Sequence, residues 1–387
     1  MFKPLVVFVS LALGACSAAS GSGNKVDGSG DNASPVGSGG SSSDPNGNSG
    51  GSLLLDPTLA GGSSSGGITD MGCASESQEA HPVPTDLLVL LDQSGSMTLE
   101  GNRWDPTSIA LKTFVQSPAS DGLGVGLQYF PLGASKTSDP AICEPQNYVA
   151  PAVPIAPLPD NALPLVTSID AHHFTAAEGA DAAHWGTPTR PAVEGALQYL
   201  ATYQAANPDR HLYLLLATDG LPSKLCTGNN IDGIASVLAA AAALAQPVQT
   251  FVIGIGEIAR LNTLAEAGGT GQPAFIVDAT GASTEAQLST AFEAIRHTAL
   301  PCEFAIPKPA TGRVDPAQVN VELTGGQAKT VFPKVAAASD CTTSDSNWYY
   351  DSETSPTKVI MCPAACETLK GGNGRIDLVF GCKTVTK

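Results

Sequence analysis

Three short segments carry oxygen-bearing side chains in an arrangement suited to a hard metal cation. The first, D-Q-S-G-S, places the carboxylate of Asp92 and the hydroxyls of Ser94 and Ser96 at alternate positions. The second, G-T-P-T, adds the hydroxyl of Thr187, and the third, T-D-G, adds the carboxylate of Asp219. Oxygen ligands suit Mg²⁺, Mn²⁺ or Ca²⁺, whereas the sulfur and imidazole ligands that favour zinc are absent from the first segment.

Each segment follows or precedes an element of an alternating strand and helix pattern. Residues 86–91 and 211–218 are continuous apolar runs, typical of strands buried on both faces of a parallel sheet. The pattern also predicts strands over 125–130, 148–155 (an edge strand), 248–255 and 274–277, and helices over 105–116, 190–206, 231–245, 261–267 and 284–299. This alternation favours an α/β fold with a doubly wound, mostly parallel sheet and helices on both faces. Ligands of such sheets bind at the carboxyl ends of the strands, where the strand order reverses.

The three segments, in this order, resemble the metal-ion-dependent adhesion site (MIDAS) of the von Willebrand factor A (VWA) domain. The resemblance covers residues 84–300 and extends to segments 251–256 and 264–269, which are typical of bacterial members. It implies that the hydroxyls of Ser94, Ser96 and Thr187 ligate the metal, while Asp92 and Asp219 act largely through bound waters.

The same resemblance implies Mg²⁺ as the cofactor, with Mn²⁺ or Ca²⁺ as alternatives, and one coordination position open to an acidic residue of a protein partner. Where many relatives have a further Gly, this chain has His184 and Trp185. These two residues and Met97 are candidates for the rim that meets the partner; for His184 and Trp185, an ordinary surface role remains the alternative.

No catalytic residue is predicted, and the chain is interpreted as a non-enzyme. Ser94 and Ser96 lack the first Gly of the G-x-S-x-G nucleophile motif. The three histidines at 172, 173 and 184 form a loose cluster without metal-ligand spacing. Cys362 and Cys366 are separated by three residues, unlike the redox motif C-x-x-C, so structural disulfides are expected there.

The N-terminus has the layout of a secretory signal peptide over residues 1–15. Lys3 precedes an apolar run over 5–13 that is too short to span a bilayer. The sequence L-G-A-C that ends at Cys16 resembles the bacterial lipobox, which implies cleavage before Cys16 and its lipidation. By the same analogy, Ser17 favours the outer membrane over the inner one. An ordinary signal peptide that happens to contain a Cys is the alternative.

Residues 16–75 comprise this cysteine and a tether in which about half of the residues are Gly or Ser, so disorder is expected. Residues 301–387 are predicted to form a small Cys-rich β-type module, with strands over 319–323, 327–332, 348–350, 358–361 and 375–380 and a hairpin turn at 324–326.

The cysteine count supports disulfide bonding in an exported protein. Nine cysteines are present, and lipidation of Cys16 leaves an even number, which favours four disulfides. Cys143 and Cys226 follow strand ends and are expected to pair. Cys73 is expected to pair with Cys302, since the termini of the fold lie close together. The pairing of the other four stays open: Cys341, Cys362, Cys366 and Cys382.

Charge excludes one class of partner. The chain has 19 basic and 36 acidic residues and a net charge of −17, so binding of nucleic acid through phosphate neutralisation is not expected. The sequence therefore predicts an exported, lipid-anchored protein whose VWA domain binds a protein ligand through a divalent cation. Two alternatives stay open: an envelope-complex scaffold in which metal only orders loops, and an enzyme that uses the C-terminal module.

Overall fold

The computed structural model describes residues 75–99, 101–132, 140–172, 186–256, 258, 260–279, 283–300, 302–307, 314–325, 328–370 and 375–387. The contacts divide the chain after Ile68, and all of these residues belong to the second unit, Thr69–Lys387. The predicted signal peptide, Cys16, the tether up to residue 74 and Cys73 lie outside the described residues. Within the described ranges, no helix combines the length and apolar character needed to cross a membrane.

The elements follow the predicted alternation and then turn to strands. The strands are β1 (Glu76–Glu79), β2 (Thr85–Asp92), β3 (Gly124–Phe130), β4 (Val153–Pro157), β5 (His211–Thr218), β6 (Val248–Ile255), β7 (Phe275–Val277), β8 (Glu303–Ala305), β9 (Val319–Gly325), β10 (Ala328–Phe332), β11 (Trp348–Tyr350), β12 (Lys358–Met361) and β13 (Arg375–Phe380). The helices are α1 (Gly95–Leu99), α2 (Trp104–Gln116), α3 (Ala162–Ala171), α4 (Thr189–Ala206), α5 (Ile231–Ala242), α6 (Leu261–Ala267), α7 (Thr284–Ala299) and α8 (Pro363–Lys370).

A six-stranded sheet with the order β4-β3-β2-β5-β6-β7 organises the α/β part of the molecule. Every neighbouring pair is parallel except β3 and the edge strand β4, which are antiparallel. Alternate residues of β2 serve opposite faces: Leu87 packs with α2, α3 and α7, whereas Leu88 packs with α4, α5 and α6. The predicted doubly wound, mostly parallel α/β fold is therefore confirmed.

The strand order reverses between β2 and β5. From β2 the chain proceeds to β3 and β4 on one side, and from β5 it proceeds to β6 and β7 on the other. In the parallel pairing of β2 with β5, Leu91 lies opposite Ala217. Asp92, the last residue of β2, is thus level with Thr218, and the residue that follows Thr218 is Asp219. The carboxyl ends of these two strands form the switch point at which ligands of such folds bind.

The predicted 148–155 strand is only partly correct. A 3₁₀ turn covers Pro145–Tyr148, and the edge strand begins at Val153. Its antiparallel pairing with β3 agrees with its predicted place at the edge of the sheet.

The C-terminal residues form two antiparallel sheets, with the orders β1-β13-β9-β10 and β11-β12-β8. The predicted hairpin of β9 and β10 is present. Their shared core is small and includes the buried Trp348, whose indole N–H donates to the Phe332 carbonyl (2.7 Å). Since β1 precedes the α/β part and pairs with β13, residues 76–79 belong structurally with the C-terminal sheets.

The predicted pairing of Cys73 with Cys302 is wrong. Cys302 forms a disulfide with Cys366, and Cys341 forms one with Cys362. The reason is helix α8, which no sequence pattern predicted: it brings Cys366 to a Cα–Cα distance of 5.4 Å from Cys302, at the start of β8. Cys382 is also disulfide-bonded, with a partner outside the described residues.

Candidate metal centre

The first loop begins at the last residue of β2. Asp92 is fully buried, and its Oδ1 accepts a hydrogen bond from the backbone N–H of Ser94 (2.8 Å). Its Oδ2 accepts a hydrogen bond from the Thr218 hydroxyl (2.6 Å), which reaches across from β5. The chain then turns into α1, where Ser94 Oγ and Ser96 Oγ lie 3.1 Å apart. One carboxylate and two hydroxyls are thereby gathered in a single short segment.

Asp219, just after β5, joins this cluster from the neighbouring strand. Its Oδ1 accepts a hydrogen bond from the Ser96 hydroxyl (2.8 Å), and its Oδ2 accepts one from Arg103 Nη1 (2.7 Å). Four of the five residues predicted to serve a metal therefore form one connected network: Asp92, Ser94, Ser96 and Asp219.

The negative charge of Asp219 and the burial of Asp92 both disfavour the ionised form of Asp92. Its pKa is raised from 3.8 to about 7, first because burial removes water from the ionised form and second because Asp219 places a negative charge nearby. Hydrogen bonds from Thr218 and Ser94 oppose this rise without overcoming it. Two negative charges at this site are therefore mutually unfavourable, and additional positive charge would offset them.

Arg103, at the start of α2, supplies part of that positive charge within the chain. Its guanidinium forms an ion pair with Asp219, whose side chain is fully shielded from solvent, and it also approaches the Asp219 carbonyl (3.4 Å). Arg103 Nε is buried and has no hydrogen-bond partner among the described residues. The position of the Arg103 guanidinium is therefore determined mainly by its ion pair with Asp219.

Thr187, the fifth predicted residue, borders the third loop. A methyl group built on Gly220 would lie 3.8 Å from Thr187 Oγ1. The backbone of Thr187 is held firmly: its N–H donates to Ser223 Oγ (3.1 Å), and its carbonyl accepts from the Ser223 N–H (3.0 Å) and from Asn229 Nδ2 (2.8 Å). All five predicted residues are thus brought to one edge of the sheet.

Asn229 is the residue that ties the second and third loops together. It is buried, its Nδ2 also donates to the Ser223 carbonyl (2.6 Å), and its Oδ1 accepts from the Arg190 N–H (2.8 Å) at the start of α4. A disulfide between Cys143 and Cys226, with a Cα–Cα distance of 5.3 Å, links the same region covalently, as predicted. The disulfide and the hydrogen bonds of Asn229 order the second and third loops without any bound ion.

The residues present fit a hard divalent cation. They offer only oxygen donors, namely two carboxylates and three hydroxyls, which are ligands that suit Mg²⁺ and Mn²⁺ rather than zinc. Mutual repulsion between Asp92 and Asp219 gives the site an electrostatic reason to take up positive charge. Among the described residues, no cluster of three or more His, Cys, Asp or Glu side chains is arranged to hold a metal.

The predicted rim needs one correction. Met97 is fully buried and belongs to the core beneath α1, so it does not face a partner. The reason is that residues 95–99 form a helix rather than an open loop, and this turn directs Met97 inward. His184 and Trp185 lie outside the described residues. His172 stacks on Tyr129, with ring centroids 3.9 Å apart, which gives it a packing role.

Sequence reasoning missed Arg103, Asn229 and Ser223. A signal existed for Arg103, because it is the only basic residue between the first loop and Lys112. No comparable signal existed for the other two, since a buried Asn or Ser that joins two loops has no periodicity to reveal it.

Replacement of Asp92 by Asn should stabilise the metal-free protein in a pH-dependent way. Because the pKa of Asp92 is higher in the folded protein than its ordinary 3.8, the folded state holds the extra proton between about pH 4 and 7. Wild-type stability therefore falls as the pH rises through this window and stays low above it. In chelator, D92N should gain about 1–3 kcal/mol in the free energy of unfolding at pH 8, with little gain at pH 4.

The measurement is denaturant unfolding at both pH values, with the exposed Asp121→Asn as the control for loss of a charge. An equal gain at both pH values, or a loss at pH 8, would contradict the electrostatic account of the pocket.

Comparisons with known proteins give structural likenesses only. No family model and no curated protein sequence matches the chain. Similar solved structures include the manganese-loaded TRAP protein of Plasmodium vivax, at 14% identity and a TM-score of 0.38, covering 76% of this chain and 98% of that one. The pilus adhesin SpaC of Lactobacillus rhamnosus GG, in an open conformation, is 12% identical with a TM-score of 0.40 over 80% of this chain and 40% of that one.

A von Willebrand factor type A protein from Catenulispora acidiphila is 13% identical, with a TM-score of 0.34 over 81% of this chain and 66% of that one. The chain thus spans less than half of the pilus adhesin and just under two thirds of the Catenulispora protein. At these identities and TM-scores, the likenesses do not bear on function.

Proposed function

We propose that this chain is a binding protein that captures a protein ligand through a divalent cation, Mg²⁺ in the first instance, held at the carboxyl edge of the sheet. The observation that carries the proposal is the convergence of Asp92, Ser94, Ser96, Thr187 and Asp219 on the switch point between β2 and β5. The hydroxyls would ligate the ion, and the two aspartates would balance its charge. The ion would supply an open coordination position for a carboxylate of the ligand.

The metal centre and the point at which the chain enters β2 lie at opposite ends of that strand. The segment before β2 is fixed at the amino end of that strand, where the Val83 N–H donates to the Glu303 carbonyl (2.8 Å). Asp92 stands at the opposite end of β2, about 23 Å away at 3.3 Å per residue. A lipid on Cys16, which the lipobox-like sequence L-G-A-C predicts, would anchor the protein to a membrane through the tether. We propose such an anchor, in the outer membrane, as the setting in which the site faces its ligand.

The scaffold alternative, in which metal only orders the loops, is less well supported. The second and third loops are already held by Asn229, Ser223 and the disulfide between Cys143 and Cys226. Arg103 compensates Asp219 without any ion. Loops that are ordered by the chain itself do not require a cation for that purpose, so a cation there is better explained as a bridge to a ligand.

Replacement of Asp219 by Asn should abolish metal-dependent capture. The full chain is used as bait in an envelope extract, with Mg²⁺ and then with EDTA. Wild type should retain a protein ligand only with Mg²⁺, and D219N should retain none, because one of the two charges that balance the ion is lost while the shape is kept. Asp121→Asn, an exposed carboxylate elsewhere, should behave as wild type. Capture that is unchanged by EDTA and by D219N would refute the binding mechanism although the fold is correct.

Replacement of Arg103 by Met should tighten metal binding. The guanidinium lies 2.7 Å from Asp219 Oδ2 and competes with a cation for that carboxylate. Without it, the affinity for Mn²⁺ should rise about tenfold, which corresponds to about 1.4 kcal/mol of relieved repulsion. Isothermal titration calorimetry measures the change, and Arg103→Lys, which keeps the charge, should stay within about threefold of wild type. A weaker affinity in R103M would mean that Arg103 positions Asp219 for the metal rather than competing with it.

A further inference from the structure

We propose that three leucines around the metal centre select ligands in which the metal-binding acidic residue is flanked by apolar side chains. The leucine rim consists of Leu99, Leu221 and Leu225, and its assignment rests on the proposed function of the metal centre. It names the chemistry of the partner segment: one carboxylate for the cation, with apolar side chains on either side.

The three leucines are exposed to solvent. Leu221 is 55% exposed, Leu225 is 50% exposed and Leu99 is 38% exposed. Leucine is among the residues most often buried in folded proteins, and single exposed leucines are unremarkable in isolation. What distinguishes these three is that each of them borders a different loop of the site.

Their positions follow from the chain and from one contact. Leu221 comes two residues after Asp219, and Leu99 ends α1, three residues after Ser96. Leu225 covers the second loop: a Cβ built on Gly186, the residue before Thr187, would lie only 2.8 Å from Leu225 Cδ1.

The segment that carries two of the leucines is held by several hydrogen bonds and a disulfide. Ser223, midway between Leu221 and Leu225, exchanges two hydrogen bonds with the Thr187 backbone, and its carbonyl accepts one from Asn229. The residue after Leu225 is Cys226, which the disulfide to Cys143 fixes. These hydrogen bonds and the disulfide fix the segment while its two leucine side chains face solvent. A surface that is ordered before binding loses little conformational entropy when a partner covers it.

Charge decides which partner fits this surface. Asp92, Asp219, Arg103 and a bound dication together sum to one positive charge, and the exposed Lys224, between Leu221 and Leu225, adds a second. A carboxylate of the ligand is attracted by this positive charge, and apolar neighbours of the carboxylate would cover the leucines. A strongly anionic partner would instead be repelled by the remainder of the chain, whose net charge is −17.

The test is selection of random dodecapeptides displayed on phage against the full chain, loaded with Mn²⁺ and eluted with EDTA. Wild type should enrich peptides with an Asp or Glu that has Leu, Ile, Val, Phe or Met within two positions. The double variant L221S/L225S should lose this flanking preference and bind the best wild-type peptide at least about tenfold more weakly, while its Mn²⁺ affinity by calorimetry stays within about twofold of wild type. The matched control is L163S/L244S, which changes two exposed leucines elsewhere and should behave as wild type.

Three outcomes would overturn the proposal, and they are distinguishable. Acidic peptides without apolar flanks, bound equally by wild type and L221S/L225S, would refute the leucine rim and leave the metal-dependent binding intact. An absence of any EDTA-eluted acidic peptide would refute the proposed function together with the rim. A wild-type dimer in sedimentation that L221S/L225S converts to monomer would assign the leucines to a second copy of this chain.

Discussion

The parallel pairing of β2 with β5 brings two carboxylates to the same buried edge of the sheet. The other residues of the site reduce the repulsion between these carboxylates. Asp92 ends one strand and Asp219 follows the other; burial, and then the nearby negative charge of Asp219, raise the pKa of Asp92 to about 7. Hydroxyl donors from Thr218 and Ser96 and the guanidinium of Arg103 offset part of the repulsion. What remains favours one more positive charge, and the surrounding hydroxyls suit a hard cation.

Much of the scaffold was predictable because its strands are buried on both faces. A continuous apolar run predicted β5 with its observed bounds, and the strand and helix alternation predicted β6, α6 and α7 with theirs. Elements without such a run were missed: β1 has the polar sequence E-S-Q-E, and it forms a strand only because β13 pairs with it. Long-range pairing of this kind leaves no local signal.

The same distinction applies to the site. Its five oxygen-bearing residues were predictable, because the sequence shows their types, their order and their positions beside the predicted strands and helices. The residues that hold them in place, Arg103 and Asn229, were not predictable, because they act through tertiary contacts that leave no local pattern. Met97 was misassigned for a related reason: a five-residue helix is too short to show periodicity, yet it determines that Met97 faces the core. The Cys302 pairing failed because helix α8 was not foreseen.

The most direct measurement is a crystal of the full chain soaked in Mn²⁺, with diffraction data collected at a wavelength at which manganese scatters anomalously. We expect one anomalous peak bounded by Ser94, Ser96 and Thr187, with Asp92 and Asp219 beside it, and no peak there in D219N. A wild-type crystal without a peak at this position, while Mn²⁺ binds elsewhere or not at all, would contradict the central claim that this edge of the sheet is a cation site.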